Sequence, residues 1–341
     1  MKPKKGILLV NLGTPDSPSV ADVRKYLVEF LTDGRVIDIP AWRRQLLVRG
    51  IIAPFRACNS AKLYQAIWDK DTGSPLLYYS LLQQQLLQEQ LGEAYHVELA
   101  MRYQSPSIAS ALANLKPMNL ESIRIIPLFP QYASASTGSV IDKVMELMRK
   151  WHTFPEVSIV NDFYDNEAMI DVFVENALTH QPETYDHILF SYHGLPVRQL
   201  TDVEVPGTHD CEKAGCRERI AEHNRYCYLA QCYATTRLLA KKLQLGRERY
   251  TVCFQSRLGK TPWIQPYTSD VLQEVAGKGK KRLLVFCPAF VSDCLETIYE
   301  VGTEYATEFK QLGGEHVQLV ESLNAHPRWI HGLKQLATAT V

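Results

Sequence analysis

The stretch RLLVFCPAFVSDCLETIYEVGTEYATEFKQL, residues 282–312, contains the pattern that decides the fold. It begins with a short apolar run of the length and composition of a buried parallel strand. A turn with a proline follows, and apolar residues then recur at helical spacing, which predicts a helix over Asp293–Leu312. A strand followed directly by a helix is the repeating unit of a parallel α/β sheet.

The same alternation runs along the whole chain. We predict eight strands, at Gly6–Asn11, Val97–Tyr103, Ile123–Leu128, Val157–Asn161, His187–Tyr192, Tyr250–Gln255, Arg282–Cys287 and Val317–Glu321. We predict helices at Val20–Thr32, Leu76–Leu91, Ser136–Arg149, Glu167–Ala177, Tyr228–Leu243, Asp293–Leu312 and Pro327–Leu336. The pattern divides at a polar stretch near Trp151–Glu156, so we expect two doubly wound α/β domains, 1–155 and 156–341, with the terminal helix free to pack back on the first.

Composition excludes several classes of protein. The chain has 341 residues, 46% of them hydrophobic, and 37 basic residues balance 37 acidic ones, so nucleic acid is a poor partner. The N-terminus has neither the apolar run nor the cleavage site of a signal peptide, and no stretch approaches the roughly 18 apolar residues of a membrane span. We therefore expect a cytoplasmic protein whose eight cysteines are thiols or metal ligands.

His193 directly follows the apolar run HILFSY, so it should project from the carboxyl end of a strand, where open α/β sheets bind their ligands. An imidazole there can exchange protons near neutral pH, although a histidine that only caps the turn is an equally good interpretation. The helix that follows residues 282–287 has one acidic face with no Lys or Arg between residues 293 and 309 to neutralise it: Asp293, Glu296, Glu300, Glu304 and Glu308. One imidazole with several carboxylates suits Fe²⁺ or Zn²⁺ better than Ca²⁺ or Mg²⁺.

Aromatic side chains form a third group near the predicted strand ends. Singly each would be assigned to the core, but five around one cleft indicate a flat apolar ligand: Tyr103, Phe129, Tyr132, Trp263 and Phe290.

Six motifs together resemble the ferrochelatases, enzymes that insert Fe²⁺ into a porphyrin. In the family's order they are GILLVNLGTPDSP, AMRYQSPSI, PLFPQY, LFSYHGLP, FQSRLGKTPWIQPYT and CPAFVSDCLETIYE. The proteobacterial members are the most similar. The resemblance implies two Rossmann-like domains of the class II chelatase type with a porphyrin cleft between them.

The resemblance also implies roles for particular residues. His193 matches the histidine that binds the entering metal and accepts a pyrrole proton, and Glu296 matches the carboxylate that faces it. Asp293 and Glu300 match the acidic positions that orient the site and conduct metal ions or protons. Six residues occupy porphyrin-contact positions: Leu12, Arg102, Tyr103, Phe129, Trp263 and Phe290. No cofactor is expected for the chemistry itself.

The chain departs from many relatives in its cysteines. Cys294 stands where many relatives have histidine, and Ser134 stands where some have a ligand of a [2Fe–2S] cluster. However, Cys211, Cys216, Cys227 and Cys232 lie together in an insertion at about 197–232, with the spacing C-x4-C-x10-C-x4-C. Four thiolates suit [2Fe–2S] or structural Zn²⁺, His209 or His223 could replace one of them, and unbound thiols are the third interpretation. Some bacterial relatives carry a cluster in such an insertion, so we expect [2Fe–2S] before zinc.

Other cysteines and one basic stretch complete the prediction. Cys58, Cys253 and Cys287 are expected to be buried thiols.

The stretch 41–57 mixes apolar residues with four arginines, and it suits peripheral membrane contact or a basic lid over the substrate's carboxylates equally well. We expect porphyrin and Fe²⁺ as substrates. The alternatives are a chelatase for coproporphyrin III or for a cobalt-accepting tetrapyrrole, and a non-catalytic haem or porphyrin carrier.

Overall fold

Within the part of the chain that the structure describes, the apolar runs of the sequence form eight parallel strands. The computed structural model describes residues 4–201, 210–257, 259 and 261–339. The strands are β1 (Lys5–Gly13), β2 (Tyr95–Tyr103), β3 (Ser122–Pro127), β4 (Glu156–Ile159), β5 (His187–His193), β6 (Tyr250–Gln255), β7 (Arg282–Phe286) and β8 (His316–Leu319). They form two four-stranded sheets, in the orders β2-β1-β3-β4 and β6-β5-β7-β8. The predicted α/β class and all eight strands are confirmed.

Helices connect the strands, as parallel pairing requires. The α-helices are α1 (Val20–Leu31), α2 (Ala41–Leu47), α3 (Ala53–Ile67), α4 (Pro75–Leu91), α5 (Ile108–Leu115), α6 (Ser139–Met148), α7 (Glu167–Thr179), α8 (Val197–Thr201), α9 (Tyr228–Lys242), α10 (Thr268–Gly277), α11 (Ala306–Gln311) and α12 (Pro327–Thr338). Three segments are π-helical: Val48–Ile52, Ser134–Gly138 and Leu295–Tyr305. Short 3₁₀ turns occur at Gly92–Ala94, Lys116–Met118, Pro182–Thr184, Glu222–Asn224 and Arg247–Arg249.

The chain divides into two compact units. The first comprises Met1–Phe129, Ser134–Asp162 and Trp329–Val341, and the second comprises Pro130–Ala133 and Phe163–Arg328. The first unit extends past the expected boundary at residue 155 because β4 pairs with β3 in the first sheet. The residues after Arg328, which form most of α12, also belong to the first unit.

Each unit has its own apolar core between its sheet and its helices. In the first unit, Leu8 and Ile125 of the sheet pack with Leu112 of α5 and Val144 of α6. In the second unit the corresponding cluster includes side chains of β5, β7, α10 and the π-helix, among them Leu189, Val285, Leu272 and Val301. These cores hold the carboxyl ends of the strands in place, where the candidate site residues lie.

Among the described residues, no helix combines the length and the apolarity that crossing a membrane requires.

Candidate functional site

His193 is the last residue of β5 and is half-buried. Its Nδ1 donates a hydrogen bond to the Gly194 carbonyl at 2.7 Å, which leaves the Nε2 lone pair free for a metal ion or a proton. Gly194 in turn donates its N–H to the Gln255 carbonyl at 2.8 Å. A Cβ on Gly194 would lie 2.7 Å from that carbonyl oxygen and 3.3 Å from the Trp263 ring, so this position requires glycine.

Gln255 connects His193 to the acidic helix. The two residues are register partners on β5 and β6. The Gln255 amide nitrogen donates to the Glu296 carbonyl and to the Glu300 carboxylate, both at 3.0 Å. Its amide oxygen accepts from Ser191 at 2.7 Å. Gln255 is therefore bonded to both parts of the site: its main chain to the segment of His193 and its buried side-chain amide to the acidic helix. It is not among the predicted site residues.

The acidic helix is a π-helix from Leu295 to Tyr305 and continues as α11, whereas the sequence pattern predicted one α-helix. Glu300 accepts three hydrogen bonds, from Gln255, from Ser256 at 2.6 Å and from the Tyr305 hydroxyl at 2.9 Å. Burial, and next the charge of Glu300, raise the pKa of Tyr305 far above its ordinary value, so the phenol remains a donor. These contacts hold Glu300 in one orientation.

Asp293 lies just before the π-helix and is buried. One carboxylate oxygen accepts from Thr297 at 3.0 Å and from the Ser322 N–H at 3.3 Å. The other accepts from the Asn324 amide at 2.7 Å, and the Asn324 amide oxygen accepts the Asp293 N–H at 2.9 Å. All these partners lie within the second unit, so Asp293 fixes the start of the helix to the loop after β8.

Glu296 is half-buried and follows the fully buried thiol of Cys294. Burial, and then the negative charge of Glu296, raise the pKa of Cys294 well above its ordinary value, so this neighbour remains a neutral thiol. Further along the helix, burial and the charges of Glu300 and Glu308 raise the pKa of Glu304. Among the described residues, none of the ion pairs involves these glutamates. These glutamates therefore have no ion-pair partner among the described residues, an arrangement that favours a cation.

The two expected porphyrin contacts of the second unit, Trp263 and Phe290, lie in loops that follow strands β6 and β7. Trp263 is nearly buried, with 9% of its surface exposed, and its ring packs against Gly194. Phe290 is half-buried and packs on the core of this unit. Both side chains are apolar surfaces close in the chain to site residues.

The expected porphyrin contacts of the first unit comprise apolar side chains at strand ends and one arginine that is held by hydrogen bonds. Leu12 and Phe129 are half-buried at or just after the ends of β1 and β3. Arg102 donates to Asp33 at 2.6 Å and to Ser139 at 2.7 Å, and its guanidinium lies 4.6 Å from the centre of the Tyr103 ring.

Tyr103 has no exposed surface and donates its hydroxyl to Asp33 at 2.9 Å. Its ring lies against Phe30 and Arg102, and its contact with a porphyrin stays a prediction. Burial alone would raise the pKa of Asp33. Hydrogen bonds from Ser139 and the Arg35 backbone, with the charge of Arg102, hold it below its ordinary value. This ionised carboxylate keeps Arg102 and Tyr103 in their places.

Three of the four inserted cysteines converge, and we call Cys211, Cys216 and Cys227 the cysteine cluster. Their sulfurs lie within 4.8 Å of one another, and those of Cys211 and Cys227 are 3.6 Å apart. Hydrogen bonds from the other two thiols, and then from backbone N–H groups at the start of α9, lower the pKa of Cys227 below its ordinary value. A lowered pKa favours the thiolate, which is the form that binds metals.

The fourth cysteine of the predicted set, Cys232, is fully buried on α9 and lies outside this group. His223 is bonded to the Ala214 carbonyl at 3.1 Å, and His209 lies outside the described residues. As arranged, the cysteines supply three sulfurs and do not fit a four-thiolate cluster. Cys253 and Cys287 are buried as predicted, whereas Cys58 is exposed because its side chain points away from the core face of α3.

Comparison with known proteins gives one consistent result. The ferrochelatase family model matches residues 4–341. The ferrochelatase of Legionella pneumophila strain Lens is 44% identical over an alignment of 340 positions that covers 98% of each chain. That of Coxiella burnetii strain Dugway 5J108-111 is also 44% identical, over 343 residues, covering 98% of this chain and 93% of the relative.

A solved structure of SirB from Bacillus subtilis with Fe³⁺ shares the fold. It has a TM-score of 0.52 and 11% identity, and the match covers 99% of this chain and 96% of that one. The fold, the motif order and the relatives agree that this chain belongs to the ferrochelatase family.

Proposed function

We propose that this chain inserts Fe²⁺ into protoporphyrin IX to form protohaem. The single observation that carries the proposal is the Nδ1–H bond of His193, which places the lone pair of the ring on Nε2, beside the residue that holds the glutamate helix. Family membership over residues 4–341 supports the same assignment, as do relatives named ferrochelatase at 44% identity.

The reaction exchanges two pyrrole protons for one metal ion: Fe²⁺ and the free porphyrin give the iron porphyrin and two H⁺. The site must supply a metal ligand and a proton acceptor near the macrocycle. His193 Nε2 can serve in either role, and Glu296 is proposed to receive the metal or a proton opposite it. Porphyrin bound in a distorted form would expose its nitrogen lone pairs to the metal.

We propose that Glu300 and Asp293 hold the acidic helix in place and do not themselves react. Glu300 accepts hydrogen bonds from Gln255, Ser256 and Tyr305, and Asp293 accepts from three groups, so both fix the helix that carries Glu296. The proposed apolar contacts of the porphyrin are Leu12, Phe129, Trp263 and Phe290. We propose that Arg102 also contacts the porphyrin and that its hydrogen bond to Asp33 keeps its guanidinium in position.

An anaerobic absorption experiment tests the proposal. Protein is mixed with protoporphyrin IX and Fe²⁺, and the bands of the free porphyrin should disappear at a rate proportional to enzyme concentration. Binding without metallation would overturn the proposal in favour of a porphyrin carrier. Faster metallation of coproporphyrin III than of protoporphyrin IX in direct competition would assign another tetrapyrrole as substrate. Faster insertion of Co²⁺ than of Fe²⁺ would assign another metal.

We further propose that the cysteine cluster binds a thiophilic metal centre. The lowered pKa of Cys227 beside two further sulfurs supports this. The resemblance favours [2Fe–2S], for which a fourth ligand must come from outside the cluster, and Zn²⁺ is the alternative. The spectrum of the protein as purified tests the choice: visible bands that bleach on reduction indicate [2Fe–2S], bound zinc without bands indicates Zn²⁺, and no metal refutes the proposal.

Peripheral membrane contact through residues 41–57 is a further proposal. The segment forms α2, a π-helical turn and the start of α3. Four of its apolar side chains are more than half exposed: Trp42, Leu46, Ile51 and Phe55. Arginines beside them suit an anionic lipid surface. Co-sedimentation with anionic vesicles should fall sharply in Trp42→Ser/Phe55→Ser, and unchanged binding would refute this contact.

A further inference from the structure

The two peptides that follow His193 carry three hydrogen bonds. The His193 carbonyl accepts a hydrogen bond from the Tyr228 hydroxyl at 2.8 Å. The Gly194 N–H donates to Gln255 at 2.8 Å, and the Gly194 carbonyl accepts from the imidazole of His193 at 2.7 Å. The bond from Tyr228 comes from α9, whereas the bond to Gln255 belongs to the sheet. Because the ring is bonded to Gly194, its direction depends on how these two peptide planes are held.

Tyr228 is also the neighbour of the cysteine cluster. It is the first residue of α9, it is buried, and the residue that caps this helix is Cys227. The Cys227 carbonyl accepts the Gln231 N–H at 3.0 Å in the first turn. A displacement of Cys227 therefore moves the first turn of α9, and with it the tyrosine that contacts His193.

We propose that Tyr228 is a positioning residue for His193, and that through it the placement of the imidazole depends on the cysteine cluster. The inference rests on the proposed metal-inserting role of His193. Without the phenol hydroxyl, the half-buried His193 carbonyl loses the Tyr228 donor, and the end of β5 gains freedom to tilt. The imidazole of His193, as a metal ligand, must be held within a fraction of an ångström of its working position. With β5 less fixed, it spends less time with Nε2 directed at the metal.

The variant Tyr228→Phe in the full chain tests the positioning role, and Tyr192→Phe is its matched control. Tyr192 is fully buried and adjacent to His193, but its hydroxyl is bonded to Thr236 at 2.8 Å. Each variant removes one buried hydroxyl together with its hydrogen bonds, so their unfolding midpoints should fall by similar amounts. We expect Tyr228→Phe to lower kcat about tenfold with an unchanged KM for porphyrin, and Tyr192→Phe to stay within about twofold of the native kcat.

A spectroscopic measurement separates this inference from the proposed activity. In ¹⁵N-histidine-labelled protein without substrate, the imidazole signals of His193, assigned by their loss in His193→Ala, should move in Tyr228→Phe and stay in place in Tyr192→Phe. This readout holds even for a chain that inserts no metal. Equal spectra and equal kcat in the two variants would overturn the positioning role.

The link to the cysteine cluster is tested by a double-mutant cycle. Cys227→Ser should lower kcat severalfold in the native background and by less than about twofold further in Tyr228→Phe. Multiplicative losses would overturn the link. Should Tyr228→Phe fail to fold, the His193 signals of Cys227→Ser provide the test: they must move, and they must stay in place in the exposed-cysteine control Cys58→Ser.

Discussion

The exchange Asp293→Asn tests whether this carboxylate acts as an anchor or as a chemical group. In the native protein one Asp293 oxygen serves Thr297 and Ser322, and the other accepts from the Asn324 amide nitrogen. An asparagine at position 293 can keep an oxygen toward Thr297, but its amide nitrogen must then face the donor of Asn324. Turning the Asn324 amide around would break its bond to the Asp293 N–H at 2.9 Å.

The magnitude follows from these contacts. Two buried donors are left facing each other without an acceptor, and each unsatisfied group costs about 1–3 kcal/mol. Asp293 is only 7% exposed, so water does not replace the lost partner. We expect Asp293→Asn to lower the free energy of unfolding by about 2–4 kcal/mol. Metallation should fall with it, because the start of the π-helix loses its attachment.

The double variant Asp293→Asn/Asn324→Asp restores the pairing with donor and acceptor exchanged. The left-handed backbone of position 324, with φ of 47°, accepts aspartate as well as asparagine. Urea unfolding and anaerobic metallation are measured for both single variants and the double variant. We expect the double variant to recover most of the stability and most of kcat. Recovered stability with kcat still at the level of Asp293→Asn would refute the anchoring role and assign Asp293 to the chemistry.

Three further outcomes are expected. His193→Ala should abolish metallation while porphyrin still binds by fluorescence quenching; near-normal turnover would refute the proposed role of the histidine. Anaerobic metal analysis should find bound iron or zinc in native protein and Cys58→Ser but not in Cys227→Ser, and equal contents would refute the metal site. Burial, and then the charge of Lys280, lower the pKa of His187 from 6.5 to about 4. Since the unfolded chain alone gains this proton, the free energy of unfolding should fall from pH 6.5 to 4, and His187→Gln should flatten that slope in urea titrations; an unchanged slope would contradict this assignment.

The strands were predictable because burial on both faces leaves a direct mark on the sequence. Runs such as HILFSY place apolar residues on both sides of β5, and its residues from His187 to Tyr192 are all buried. Position at a strand end was likewise enough to single out His193, since its place in β5 depends on local sequence alone.

The helices were predicted less completely. Residues 41–67 form a nearly continuous helical segment that is not among the predicted helices, because Gly50 and Pro54 interrupt it and exposed apolar side chains obscure the helical period. The 8-residue helix α5 is short, and its apolar residues are nearly continuous, so the pattern in this segment could not be told from that of a strand.

The role of Gln255 could not be read from the sequence. Its amide serves the site because β6 lies beside β5 in register, and this pairing depends on the order of strands that are far apart in the chain.

The grouping of the cysteines could not be predicted from their spacing either. Spacing grouped four of them, but α9 places Cys232 inside the core and leaves three sulfurs together.

The π-helix has a physical consequence that the spacing of glutamates conceals. On an α-helix, residues five apart lie about 140° apart around the axis, so Tyr305 could not reach Glu300. In a π-helix the hydrogen bonds run from i to i+5, which brings such residues to the same side. The bond from Tyr305 to Glu300 at 2.9 Å depends on this geometry. The wider turn therefore directs a buried phenol at a site carboxylate, and restoring α-helical winding would remove one of its three donors.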